Sequence, residues 1–377
     1  LLPALRWSLA NDVPVVISTN TKNLQAQLFE KDLPALASAL DVEPKTALIK
    51  GRRNYLCLRK LLYLLRNPDT ELERKERPPV ASVLRWAVDS ETGDISESVV
   101  GDRARLRDLA SKLTSIAEEC QGPDCPHQRR CFLQAARRKA LAADLVVANH
   151  AVVMSELDAG EQRPPVLPPH AHIIFDEAHN LESVATNGLA HEVSLRRIRF
   201  VLNRLWRTGR GKKKRGIVPT LLRDLEKGIP GDDESRELAL AFAKMLGRAV
   251  EQTQIPLPAF FTELATFLRQ GRPVSERRIR PERRLAGQWD DIFAAKETML
   301  VALAAVAQAA DGLVEALEDM GGEEEEGEDA DIPDLAVFRK EVWASAVWLR
   351  EFTEDVELVL RAENPEFVYW VESAAPA

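Results

Sequence analysis

The sequence predicts an α/β fold, a parallel-sheet domain interrupted by two insertions. Three short runs, 13–19, 144–149 and 172–176, are continuously apolar and each closes on a polar residue. Continuous rather than alternating apolarity marks strands covered on both faces, as in a parallel sheet. The stretches between and after these runs carry helical periodicity, and the cysteines and most of the segregated charge lie there.

In chain order, the first strand (13–19) ends in Thr19, and a helix is expected from Lys22 with Leu24 and Leu28 on one face. Residues 51–140 hold every cysteine. The second and third strands follow, closing on Asn149 and Asp176. Residues 183–360 read as mainly helical, with arginine-rich and Gly/Lys-rich connectors. Residues 366–371 again look like a strand. Thr19, Asn149 and Asp176 all fall at the carboxyl ends of strands, the edge where open α/β sheets bind ligands.

Composition narrows the class. The 377 residues are 45% hydrophobic and 29% charged, as in an ordinary globular protein. No uninterrupted apolar run approaches the ~20 residues of a membrane span, and the N-terminus lacks the pattern of a secretory signal. An intracellular, cytoplasmic protein without membrane contact is therefore expected. Four cysteines are too few for a disulfide scaffold and suit metal or redox chemistry in a reducing compartment.

The net charge of −8 misleads, because eight carboxylates lie between Glu323 and Asp334 with no base among them. Without that run, read as a loop, acids and bases balance. Ten Lys/Arg and no acid lie between Arg196 and Arg215, and seven Arg against two Glu between Arg269 and Arg284. Such local patches decide anionic partners. Trp206 and Phe200 interleave with Arg197, Arg204 and Arg207, the combination on which single-stranded nucleic acid stacks. A solvated helix face is the plainer alternative. Thr19, Thr21 and Lys22, where a strand opens into a helix, offer donors to a phosphate; an ordinary threonine N-cap accounts for them equally well.

The most specific signal is Ile173-Ile-Phe-Asp-Glu-Ala-His179. An apolar strand that delivers Asp176 and Glu177 to its end has the layout of a nucleotide-triphosphatase metal site. Asp176 would hold Mg²⁺ and Glu177 would orient or deprotonate water, with His179 coupling the site to its surroundings. Cys57, Cys120, Cys125 and Cys131 form a C-x62-C-x4-C-x5-C pattern. Four thiolates suit tetrahedral zinc or an iron–sulfur cluster, His127 offers zinc a fifth candidate ligand, and spacing does not choose between the metals.

Taken together these residues resemble the iron–sulfur DNA helicases of superfamily two, the XPD-like and, more closely, the DinG-like branch. The matching pieces are 15–27, Lys50-Gly-Arg-Arg-Asn-Tyr-Leu-Cys57, the close cysteine triplet, Leu145-Val-Val-Ala-Asn-His150, Asp176 to His179, and Val368-Tyr-Trp-Val371. The resemblance implies a first RecA-like motor domain from 1–50, 141–182 and 361–377. It implies an iron–sulfur domain at 51–140 with a [4Fe–4S] cluster on the four cysteines, and a helical arch domain at 183–360. It further implies ATP-driven 5′→3′ movement on single-stranded or forked DNA in repair or replication, with Mg-ATP at Asp176, Glu177 as base, and Thr19, Thr21 and Lys22 near the DNA backbone.

No G-x-x-x-x-G-K-[ST] phosphate loop occurs in these residues. The expectation is therefore a helicase fragment, monomeric, that does not hydrolyse ATP by itself. The rival expectation is a non-catalytic single-strand-binding or scaffold module with a structural metal site. A fused nuclease would have to lie outside these residues.

Overall fold

Four of the five residues of Val15–Thr19 are β-branched, which favours a pleated, fully packed strand. In the computed structural model this segment is β1, buried along its whole length. The structure describes residues 1–98, 109–110, 112–116, 120–159, 165–170, 172–209, 213–227, 233–269, 275–280, 287–320 and 335–373. The acidic run at 323–334 lies outside them. The chain divides into two units, Leu1–Ala190 and His191–Ala377.

The first unit begins with α1 (Leu2–Asn11) and β1. Then α2 (Lys22–Gln27) runs through a π-helical turn, Leu28–Asp32, into α3 (Leu33–Leu40). A strand that the sequence reading passed over, β2 (Thr46–Ile49), comes next. The cysteine segment carries α4 (Leu58–Arg66), α5 (Pro68–Glu71), α6 (Arg77–Asp89) and α7 (Phe132–Leu141). It is followed by β3 (Leu145–Asn149), α8 (His150–Ala159), β4 (His172–Phe175) and α9 (Leu181–Leu189).

The sheet is parallel with strand order β2-β3-β1-β4, so β1 lies between β3 and β4. Register sets Val15 against Leu145 and His172, and Thr19 against Asn149. Alternation then divides the core. Val15, Ile17, Leu145 and Val147 pack with Leu5 and Leu33 on one face. Val16, Val146 and Ala148 pack with Ile49, Leu133, Ala140 and Val153 on the other. Each fully buried aliphatic side chain contributes about 1.5–3 kcal/mol, which is what holds β1 and β3 in the middle.

The expected coverage of all three strands on both faces holds for β1 and β3 but not for β4. That strand lies at the sheet edge, with His172 exposed and Ile174 42% exposed. The cysteine segment has a separate small core of Leu56, Leu61, Leu64, Val80, Val83, Ile95, Leu109 and Leu113, against which Phe132 packs.

The second unit is mostly helical. It comprises α10 (Leu195–Leu205), a short hairpin of β5 (Arg207–Thr208) and β6 (Lys214–Arg215), α11 (Ile217–Glu226), α12 (Asp233–Gln252) and α13 (Pro256–Arg269). It continues with β7 (Glu276–Arg278), α14 (Gly287–Met320), α15 (Leu335–Arg361) and β8 (Trp370–Glu372). Helix α14 holds no uninterrupted apolar run near ~20 residues, yet by length and mean composition it is apolar enough to cross a membrane. Within it, Trp289–Met320 qualifies, with a mean hydropathy of 1.6 over the best 18-residue window and 44% of that window buried. Here α14 serves as a bundle helix against α12, α13 and α15.

The strand-like run near the end was expected to rejoin the motor sheet. In this structure β8 instead pairs antiparallel with β7 of the second unit.

Candidate active site and cysteine cluster

At the carboxyl edge of the sheet, β4 ends in the Asp-Glu-Ala-His turn. The Asp176 amide donates to the Ser18 carbonyl at 2.8 Å, extending the β1–β4 ladder by one residue and fixing where the acidic pair leaves the sheet. Glu177 adopts φ 54°, ψ 45°, a left-handed conformation that turns the chain sharply. Asn180 closes the turn: its backbone amide donates to the Glu177 carbonyl at 3.0 Å, and its side chain donates to the same carbonyl at 3.3 Å. The Asn180 side chain also lies 3.1 Å from His179 Nε2. Asp176, Glu177 and His179 are all exposed. The strand end thus presents two solvent-facing carboxylates from adjacent residues, a hard-oxygen arrangement suited to Mg²⁺ with its waters.

Beneath this turn lies a buried polar link that the sequence reading did not single out. Ser18 Oγ and His150 Nδ1 are 2.7 Å apart, both residues are buried, and the His150 ring lies 5.8 Å from that of Phe175, the residue before Asp176. Ser18 therefore touches His150 through its side chain and Asp176 through its backbone.

The residues expected near a DNA backbone separate. Thr19 is fully buried, and its hydroxyl has no partner among the described residues. Thr21 Oγ1 accepts the Leu24 amide at 3.3 Å and caps α2, while Thr21 and Lys22 are exposed. Asn149 likewise caps α8 by accepting the Val152 amide at 2.8 Å.

In the second unit, Arg204 is committed to Glu341 at 2.6 Å, with side chains only 19% and 8% exposed. Arg197 lies over the Trp348 ring at 5.8 Å and 3.9 Å from Glu192. Arg207 is half-buried on β5, directly opposite Arg215 of β6. Trp206 donates to Glu251 at 2.9 Å, and Lys214 pairs with the same carboxylate.

The four cysteines are free thiols. Cys57 caps α4, its amide held by the Leu113 carbonyl at 2.8 Å. Cys125 follows the short turn Gly122–Asp124, and Cys131 follows the turn Gln128–Arg130 and opens α7. Burial pushes the Cys125 and Cys131 thiols up. Backbone amides of His127 (toward Cys125) and of Leu133 and Gln134 (toward Cys131) oppose that rise. Cys57 and Cys131 act electrostatically on Cys125, and Cys57 and Cys120 on Cys131, so the four sulfurs share one neighbourhood.

Among the described residues no three His, Cys, Asp or Glu side chains are gathered closely enough to hold a metal ion. The quartet is therefore a shared neighbourhood and not a closed single-ion cage. Its donor chemistry, four thiols with amides directed at two of them, fits an iron–sulfur group, whose sulfurs are tuned by such hydrogen bonds.

A mainly parallel sheet with an acidic turn at its carboxyl edge is consistent with part of a RecA-like domain. No family model matches the chain. Among curated proteins it is 39% identical over 184 residues to the ATP-dependent DNA helicase YoaA of Haemophilus influenzae, covering 48% of this chain and 28% of that protein. It is 37% identical over 221 residues to the ATP-dependent helicase DinG of Mycobacterium tuberculosis, covering 55% and 33%. It is 25% identical over 273 residues to the 3'-5' exonuclease DinG of Bacillus subtilis, covering 72% and 27%. The chain is thus similar to proteins named as DinG and YoaA helicases, and it spans about a third of the length of the curated relatives it matches.

Proposed function

We propose that the chain is part of an ATP-dependent DNA helicase that moves 5′→3′ along single-stranded DNA. The observation that carries this reading is the Asp176–Glu177 turn at the carboxyl edge of the parallel sheet, in a chain 37–39% identical to proteins named as ATP-dependent helicases. Asp176 would hold Mg-ATP, Glu177 would orient or deprotonate the attacking water, and His179 would carry the state of that site to the neighbouring surface. Cys57, Cys120, Cys125 and Cys131 would hold a [4Fe–4S] cluster, which supplies folding energy to the 51–140 segment. Thr21 and Lys22, exposed at the opening of α2, are the members of the Thr19–Thr21–Lys22 set available to a phosphate backbone. A cytoplasmic monomer acting on single-stranded or forked DNA completes the reading.

The test is single-strand-stimulated ATP turnover by the purified protein that carries these residues, measured beside Glu177→Gln. Turnover abolished by that substitution, with single-strand binding retained, supports the assignment. Turnover indifferent to Glu177 overturns it.

A further inference from the structure

The Arg269–Arg284 stretch, singled out by its charge, finds no role in the motor reading. Its described part forms β7 and pairs with β8, setting Glu276 against Glu372, Arg277 against Val371 and Arg278 against Trp370. The ladder extends at both ends through Ser373 N–H to the Ser275 carbonyl and Ile279 N–H to the Tyr369 carbonyl, each 2.8 Å.

Strand alternation gives this ribbon two faces. The inner face is anchored. Arg277 lies over the Phe267 ring at 5.4 Å and donates to the Leu268 carbonyl at 3.1 Å, while Ile279 and Tyr369 are buried. The outer face carries Arg278 and Arg280, both exposed, along one strand. Along the other lie Trp370, half-buried, and Val368, 54% exposed. Among the described residues neither Arg278 nor Arg280 has a carboxylate partner. Glu276 and Glu372 share this face at its far end, and Trp370 Nε1 donates to Glu372 at 3.4 Å. The charge is thus polarised along the ribbon, with anion-attracting groups confined to the 278–280 end.

We propose that this outer face binds single-stranded nucleic acid, with phosphates along the Arg278–Arg280 row and bases against Trp370 and Val368. A cation row beside an indole ring suits single strands, because every base offers a π-face and every linkage a charge. A duplex would keep its bases stacked away from Trp370. The proposal rests on the nucleic-acid reading above and adds to it a surface on the second unit separate from the α10 arginines, two of which are engaged within the unit.

The experiment measures oligo(dT) binding by the full 377-residue chain across a salt series, for the unmodified protein, Arg278→Gln/Arg280→Gln, and Trp370→Ala. The double arginine variant removes only exposed groups, so its melting temperature is a control for folding. Expected are at least tenfold weaker binding and a log–log salt slope shallower by about 1.4, two phosphates at ~0.7 each. Trp370→Ala is expected to weaken binding about tenfold. If the unmodified chain binds no single strand, the nucleic-acid reading itself fails. If it binds and both variants match it in affinity and slope, the ribbon proposal is overturned while that reading stands. If instead the substitutions abolish a concentration-dependent dimer and leave DNA binding intact, the face is a self-interface and the proposal is likewise overturned.

Discussion

Lys50 Nζ lies 2.5 Å from Asp94 Oδ2, with the two side chains 13% and 4% exposed, and this ion pair ties the end of β2 to the segment that carries the cysteines. The same junction is reinforced by the Lys50 amide, which donates to the Tyr55 hydroxyl at 3.0 Å, and by the antiparallel bridge between Tyr55 and Asp94. Burial pushes the Asp94 carboxyl up, but the Lys50 ammonium and the hydroxyl and amide of Ser96 outweigh it and hold the group below its ordinary 3.8. A depressed carboxylate stabilises the fold above its ordinary value, and that stability is lost as pH falls through the depressed one. Asp94→Asn is therefore expected to cost about 3 kcal/mol near neutral pH, because it strands a buried ammonium. Its unfolding midpoint in urea should also change less below pH 4 than that of the unmodified chain. Equal acid sensitivity in the two proteins would remove Asp94 from this role.

Tyr55 extends the same junction to high pH. Burial is the larger influence on its phenol and raises it to about 12, with the Lys50 amide working the other way. The neutral phenol thus stabilises the fold below about 10 and ceases to do so as pH rises through 12. In an ultraviolet titration Tyr55→Phe should remove a late-ionising step.

Gly93 lies beside this joint with φ +64°, and a Cβ placed on it would meet Phe132 Cγ at 2.1 Å. Phe132 directly follows Cys131, and the Gly93 carbonyl accepts the Leu56 amide at 2.8 Å, one residue before Cys57. Adding a methyl group therefore pushes apart the segments that bring Cys57 and Cys131 into one neighbourhood. Gly93→Ala is expected to destabilise the segment by about 2–4 kcal/mol, from left-handed strain and overpacking together. If the four thiols hold the iron–sulfur cluster proposed above, iron and acid-labile sulfide content, measured anaerobically, should fall with it. Retention of both at the unmodified level would show that the clash relaxes elsewhere.

The sheet was legible where packing is two-sided. β1 and β3 carry unbroken aliphatic runs because both of their faces are covered, and such runs are visible in a sequence. β2 was not, since Thr46–Ile49 is four residues long with only Ala47 and Ile49 fully buried. The position of the Asp176 turn was legible because the full Asp-Glu-Ala-His tetrad after three apolar residues marks a strand end, and β4 does end there with both acids exposed. The fate of Arg204 was not, because its partner Glu341 is 137 residues away and a charge in a basic run looks the same whether paired or free. Thr19 misled for a related reason: a threonine at a strand end reads as an exposed donor, while the register of β1 between β3 and β4 buries it.

His150 supports the acidic turn from below. Removing its ring leaves the Ser18 hydroxyl buried without its partner and opens space under Phe175. His150→Ala is expected to cost about 2–3 kcal/mol and to speed hydrogen exchange at the Asp176 amide, which is bonded to Ser18. Unchanged exchange at Asp176 alongside lowered global stability would confine His150 to packing.

Arg204 offers the sharpest separation of folding from binding. Its ion pair with Glu341 joins α10 to α15 where both side chains are largely removed from water. Breaking such a largely buried pair costs about 3–5 kcal/mol, far above the ~0–1 kcal/mol of an exposed pair. Arg204→Ala should accordingly lower the melting temperature of the second unit strongly. The double change Arg204→Met/Glu341→Leu should recover much of that loss, since apolar side chains of similar length then fill the place of the pair. If Arg204 serves the fold, the recovered double variant binds oligo(dT) as the unmodified chain does. If it contacts DNA instead, the double variant folds normally yet binds more weakly, with a salt slope shallower by about 0.7 for the one phosphate lost.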